Sequence, residues 1–128
     1  MEITGVNHIT IRVSCLERAL VFYEGVLGMK RIHLGNSDAY LEWGGVWICL
    51  LERVFSQPTE GYGVDHIAFS MREDHFSGAV HTLQENKVRI IRGPTERGGG
   101  QVVNFLDPDG TELELYTGNL NQRMQLWR

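Results

Sequence analysis

The stretch "GVNHITI" that begins at Gly5 recurs as "GVDHIAF" beginning at Gly63, and the likeness continues when the halves are aligned on His8 and His66. An internal duplication constrains a chain strongly, because both copies must fold alike and pack together. Each copy opens on apolar alternation: Ile9, Ile11 and Val13 in the first, Ile67, Phe69 and Met71 in the second. A period of two predicts a strand with one buried face. Helical spacing follows. Leu16, Leu20, Tyr23 and Leu27 make one apolar stripe, with Ser14 and Glu17 as a capping box and Gly28 as the stop. Phe76, Val80 and Leu83 mark the matching helix, from about Glu73 to Glu85.

Both halves then return to strands. "AYLEWGGVWICLL" predicts a hairpin turning at Gly44-Gly45, and "VVNFLDPDGTELELY" a second, turning at Asp107-Pro108-Asp109-Gly110. The expectation is two copies of strand, helix and about three strands, which bury a curved sheet only together. The boundary falls near 58, giving modules of about 1–58 and 59–128 within one domain of 128 residues. With a net charge of −4 and no basic stripe, nucleic acid is not an expected partner. No apolar run approaches the roughly 18 residues that span a bilayer, so no membrane is expected either. The start "MEITGVNH" lacks a signal-peptide pattern, and Cys15 and Cys49 are too few for a disulfide scaffold. A reduced, cytoplasmic protein is the expectation.

Strand parity assigns faces. His8, Thr10 and Arg12 point opposite to Ile9 and Ile11; His66, Ala68 and Ser70 opposite to Ile67 and Phe69; Glu112, Glu114 and Tyr116 opposite to Leu113 and Leu115. Placing Gly45 over Gly110 sets Cys49 over Glu114, so pseudo-twofold symmetry makes His8, Cys49, His66 and Glu114 candidates to meet. Two imidazoles and a carboxylate form a facial divalent-metal site with open positions, which catalysis requires. A lone strand histidine is more often a surface or hydrogen-bonded residue; two at equivalent repeat positions favour the metal. Cys49 is read as a small buried residue, Asn7 and Asp65 as shaping the strand starts, and His33, His75 and His81 as surface residues.

On "NHITI", "ALVFYEGVLGM", "AYLEWGGVWICL", "DHIAF", "FLDPDGTELELY" and "GNLNQRM", the sequence resembles the vicinal-oxygen-chelate superfamily of glyoxalases, bleomycin-resistance proteins, extradiol dioxygenases and fosfomycin-resistance enzymes. The stretches around Trp47 and Arg123 resemble the fosfomycin-resistance branch. The resemblance implies an α+β fold of two tandem βαβββ modules forming a cupped sheet around one metal, with His8, His66 and Glu114 as ligands. It implies a homodimer in which His8 of one chain joins His66 and Glu114 of the other. It also implies an enzyme that opens the epoxide of a small phosphonate, or a similar electrophile, by adding a thiol cosubstrate or water. A His-His-Glu set suits Mn, Fe, Zn or Ni.

The same resemblance implies roles for further residues. Thr10 shares the metal face and meets substrate or nucleophile; a bacillithiol-using relative carries cysteine there, so Thr10 points to another nucleophile. Asp38, two residues before Tyr40 in the turn "GNSDAY", is the candidate base for a water version. Tyr40 and Trp47 match pocket walls, and Arg123 matches an arginine near the phosphonate. The loop "RGPTERGGGQ" departs from the branch: Pro94 replaces a lysine, Gly98 and Val102 replace serines, and Asn104 stands where a tyrosine meets the substrate. Arg97 and the glycine N–H groups of residues 93–101 remain as anion donors, against the alternative of a mobile loop. Three functions stay open on this scaffold: epoxide opening, other metal chemistry (a ring-cleaving dioxygenase or a glyoxalase-like lyase), and metal-free binding of a small molecule.

Overall fold

The computed structural model describes residues 1–2, 4–54 and 64–126. Gly63, and the module boundary expected near 58, lie outside the described residues. The chain divides into two compact units, Met1–Glu60 and Gly61–Arg128.

The first unit runs β1 (Ile9–Val13), α1 (Leu16–Leu20), a π-helical segment (Val21–Val26), β2 (Lys30–Leu34), β3 (Asp38–Trp43) and β4 (Val46–Glu52). The second runs β5 (Ile67–Ser70), a 3-10 turn (Glu73–His75), α2 (Phe76–Glu85), β6 (Ile90–Arg97), β7 (Gly100–Leu106), β8 (Glu112–Tyr116) and α3 (Leu120–Leu126). The sheet orders are β1-β4-β3-β2 and β5-β8-β7-β6, with the opening strand of each unit parallel to its last. This is the α+β arrangement of two tandem modules that the repeat predicts.

Both hairpins turn where expected. Gly44 and Gly45 have φ of 57° and 80°, the left-handed pair that a two-residue hairpin loop needs. At the other turn Asp107 Oδ1 accepts from Asp109 N and Thr111 N at 2.9 and 2.8 Å, so the carboxylate organises the loop itself. Helix α2 buries Phe76, Val80 and Leu83, the three residues its spacing singles out.

The first helix departs from expectation. Its N-cap is Cys15, without a side-chain cap; Ser14 Oγ instead accepts from Arg18 Nη2 at 2.8 Å. The orphan N–H of Leu16 is satisfied from a distance, donating to Glu52 Oε2 at the end of β4 at 2.7 Å. The helix then widens to π geometry, which rotates the stripe so that Phe22 and Tyr23 are both buried. Gly28, at φ 81°, closes it, with Met29 N donating to Tyr23 O at 3.0 Å.

Each unit has its own core. Ile11, Val13, Leu16, Tyr23, Leu41, Ile48 and Leu50 fill the first, and Phe69, Phe76, Leu83, Val103, Phe105, Leu113 and Leu115 the second. Each fully buried Leu, Ile or Phe is worth about 1.5–3 kcal/mol, so these faces fix the registers and thereby which residues share the opposite faces. Two local expectations change. Asp38 is the first residue of β3 rather than part of the turn, and its carbonyl accepts from Gly35 N at 2.8 Å. The stretch 93–101 is a β6–β7 hairpin turning at Gly98-Gly99, with φ of 57° and 86°, not a loose glycine loop.

Candidate metal centre

The two registers are equivalent. Cys49 on β4 lies between Thr10 on β1 and Tyr40 on β3; Glu114 on β8 lies between Ala68 on β5 and Asn104 on β7. Thr10 and Ala68 each follow the repeat histidine by two residues, so Cys49 and Glu114 hold the same place in their modules.

Both histidines are locked in the same way by the residue before them. His8 Nδ1 is 2.7 Å from Asn7 Oδ1, and His66 Nδ1 is 2.8 Å from Asp65 Oδ2. The Asp65 carboxylate accepts, so Nδ1 of His66 carries the hydrogen and Nε2 is left with its lone pair outward; the Asn7 amide, set with its oxygen toward the ring, calls for the same tautomer in His8. This is how metal-binding imidazoles are held. Asn7 and Asp65, read from sequence as shaping strand starts, therefore orient the rings.

In the second unit His66 Nε2 lies 3.5 Å from Glu114 Oε1. Two donors each about 2.1 Å from one ion sit at most about 4.2 Å apart, so this pair fits a shared cation. Glu114 is mostly buried, its side chain 14% exposed. Ligand atoms of Asp65, His66 and Glu112 also lie within 4.8 Å of one another. Glu112 was placed on this face by parity but not singled out; its nearness to His66 needs the β5–β8 register. The Asp65 hydrogen bond raises the His66 pKa above its usual value; burial opposes this, and the charges of Glu114, Glu112 and Asp65 add to it. A cation at this place takes over the role of that proton. The donor set is thus a neutral nitrogen with a fixed tautomer beside carboxylates, which fits a divalent metal.

The first unit arranges its candidates as a row of rings. His8 stacks on Trp47 at 4.4 Å, Trp47 meets Tyr40 edge-on at 5.3 Å, and Tyr40 lies 5.4 Å from His33. His33, taken from sequence as a surface residue, is exposed and extends this row. Cys49 sits below it. Burial pushes its thiol up, a hydrogen bond with Thr10 pulls the other way, and the charge of Asp38 adds to the rise. The net direction is upward, toward the neutral thiol. Asp38 and Thr10 thus both act on the Cys49 side of the sheet.

Arg123 lies half-buried on α3 against the β6–β7 turn, its Cδ 2.5 Å and Nη1 3.0 Å from where a Cβ on Gly98 would stand. Tyr116 Oη holds that turn by donating to the carbonyls of Arg97 and Gly98, both at 3.0 Å. Arg97 itself is exposed at the tip. Asn104, 1% exposed, directs Nδ2 to Glu112 and Glu114, each at 3.0 Å. An open groove of about 720 Å³, lined by Leu16, Leu20, Val21, Arg31 and Leu34 among others, contains none of the candidate residues. Among the described residues, no helix is long and apolar enough to cross a membrane.

The Glyoxalase/Bleomycin resistance protein/Dioxygenase superfamily pattern matches residues 5–115. The chain belongs to this superfamily. Among its similar members is the metallothiol transferase FosB of Staphylococcus epidermidis, 38% identical over 130 aligned residues that take in 100% of this chain and 92% of the relative. The glutathione transferase FosA of Serratia marcescens is 33% identical across 97% of this chain and 88% of that protein. A mutant of the fosfomycin resistance protein FosX of Listeria monocytogenes, complexed with Mn(II) and 1S,2S-dihydroxypropylphosphonic acid, superposes with a TM-score of 0.81 at 26% identity, covering 99% of this chain and 100% of that one. The superfamily expectation, and its nearness to the fosfomycin-resistance proteins, therefore hold.

Proposed function

We propose that the chain is a divalent-metal-dependent enzyme of the fosfomycin-resistance type, which opens an epoxide or similar small electrophile by adding a thiol. His8, His66 and Glu114 are the ligands, with residues 1–128 acting as one domain. By analogy with the branch, two chains pair and His8 of one joins His66 and Glu114 of its partner, in the cytoplasm. The observation that carries this reading is His66 Nε2 facing Glu114 Oε1 at 3.5 Å while Asp65 holds Nδ1. Relatives named as thiol transferases, at 38% and 33% identity, support the nucleophile. Cys49 stands where a glyoxalase-like lyase places a carboxylate as a fourth ligand, which weighs against that alternative.

When bound, the divalent ion supplies Lewis acidity that withdraws charge from substrate oxygens. The residues of the chain do the rest. Trp47 and Tyr40 wall the small carbon skeleton and exclude water. Arg123 pairs its planar fork with the phosphonate, and Arg97 adds positive charge at the tip of the neighbouring hairpin. Thr10 offers a hydroxyl to the incoming nucleophile. The C–O bond of the epoxide breaks as the C–S bond forms, and the thiol proton is transferred to the released oxygen.

A second reading, addition of water, draws on one observation: Asp38 lies on the Cys49 side of the sheet, on the strand that carries Tyr40. There Asp38 takes a proton from water. The relative complexed with a dihydroxypropylphosphonic acid supports this version. The test is to incubate the Mn(II)-loaded protein with fosfomycin, with and without glutathione, and follow the phosphonate by phosphorus NMR. A glutathione adduct is expected; a diol alone favours Asp38 and water. No ring-opened product in either arm overturns the substrate assignment, and oxygen uptake with catechols would put a dioxygenase in its place.

A further inference from the structure

Asn104 lies in the middle of β7, opposite Glu114 in the register and 1% exposed. Its Nδ2 bears two hydrogens and gives one to each of two acids, Glu112 Oε2 and Glu114 Oε1, both at 3.0 Å. The opposite amide orientation would set Oδ1 against two carboxylate oxygens, so the charges fix the assignment. The consequence falls on Oδ1, which is buried with no hydrogen-bond partner among the described residues. A buried acceptor left bare is a standing cost to the fold.

The equivalent place in the first unit supports a specific role. Tyr40 stands there, opposite Cys49 rather than an acid. Among the described residues, this bridging donor stands in the module whose strand carries two carboxylates. Glu112 and Glu114 are two residues apart on one face of β8 and both close to His66. Unbridged, they repel, and the ligand carboxylate swings away from its neighbour.

We propose that Asn104 is a positioning residue: its amide clamps Glu112 and Glu114 side by side and so holds Glu114 in place for the cation. The inference rests on the metal reading above. It gives Asn104 a role through the ligand, in place of the substrate contact that its family position implies.

The test is Mn(II) binding, followed by electron paramagnetic resonance, in wild type, Asn104→Leu and Asn104→Leu/Glu112→Gln. Thermal melts of the metal-free proteins report folding. Leucine keeps the same heavy-atom branching, with bulkier methyl groups, and removes both donors, so binding should weaken about 10–100-fold, the range for residues that hold a ligand. Glu112→Gln also removes a charge that attracts the cation, so it is measured alone as well; with the repelling charge gone, Asn104→Leu should cost clearly less in that background than in wild type. A purely structural role gives the same loss in both backgrounds. An Asn104→Leu protein that binds as tightly as wild type, or an equal loss in the two backgrounds, overturns the proposal. Should Asn104→Leu fail to fold, Asn104→Ala, which removes both donors in less volume, is measured instead, and unchanged binding there overturns it equally. Wild-type protein that binds no Mn(II) overturns the metal reading and this inference together, whereas tight wild-type binding with an unaffected variant removes only the inference.

Discussion

Gly98 and Gly44 make a matched pair, because both sit at hairpin turns with the same φ of 57°. Around Gly44 a new Cβ would meet nothing within 4 Å. Around Gly98 it would stand 2.5 Å from Arg123 Cδ and 2.8 Å from Tyr116 Oη. Gly44→Ala therefore measures the left-handed backbone cost alone, about 1–2 kcal/mol. Gly98→Ala carries the same cost plus crowding. Tyr116 cannot recede without weakening its bonds to the Arg97 and Gly98 carbonyls, at about 1 kcal/mol for one net hydrogen bond. Arg123 yields more easily but leaves its place. The total for Gly98→Ala is about 2–4 kcal/mol. Calorimetric melts should show its Tm falling further than that of Gly44→Ala, by roughly 3–5 °C for each extra kcal/mol. If Arg123 meets the phosphonate, Gly98→Ala also raises KM for fosfomycin while Gly44→Ala leaves it unchanged. Equal loss of Tm in the two variants would refute the idea that α3 is seated on this turn.

Three further outcomes are expected. His66→Ala and Glu114→Gln should each weaken Mn(II) binding by more than about 100-fold in titration calorimetry, since each removes a ligand rather than a residue behind one. The raised His66 pKa gives the metal-free protein a contribution to stability that is fully present below about pH 6.5 and is lost as pH rises through the folded value. Melts of wild type and His66→Gln should therefore converge toward alkaline pH, while Mn(II) binding strengthens in the same direction as the proton leaves Nε2. Leu113→Ala, at a fully buried position between the two site glutamates, should cost about 2–5 kcal/mol and be seen as a lowered urea midpoint.

The fold was legible where signals are local. Alternation at Ile9, Ile11 and Val13, the spacing of Phe76, Val80 and Leu83, and the turn chemistry at Gly44-Gly45 and Asp107–Gly110 each act within a few residues. The capping of Leu16 by Glu52 was not, because it joins residues far apart in sequence, and a serine with a glutamate three places on gives the same pattern whether or not they cap. The π-helical segment from Val21 escaped for a related reason: one extra residue per turn leaves the apolar positions close to an α-helical stripe. For the site, parity and the repeat put His66 and Glu114 on matching strands, and the structure brings them to 3.5 Å. Locking of Nδ1 by Asn7 and Asp65, and the bridge from Asn104 to two acids, depend on ring angle and cross-strand register, which a one-dimensional pattern does not hold.

The two locks differ in one respect. Asn7 presents a neutral amide oxygen to His8, whereas Asp65 presents a full charge to His66, next to Glu112 and Glu114. Duplication kept the shape of the grip and changed its charge: an acid flanked by two further acids stands behind the second imidazole, and a neutral amide behind the first, so electrostatic attraction for a cation is concentrated in the second copy.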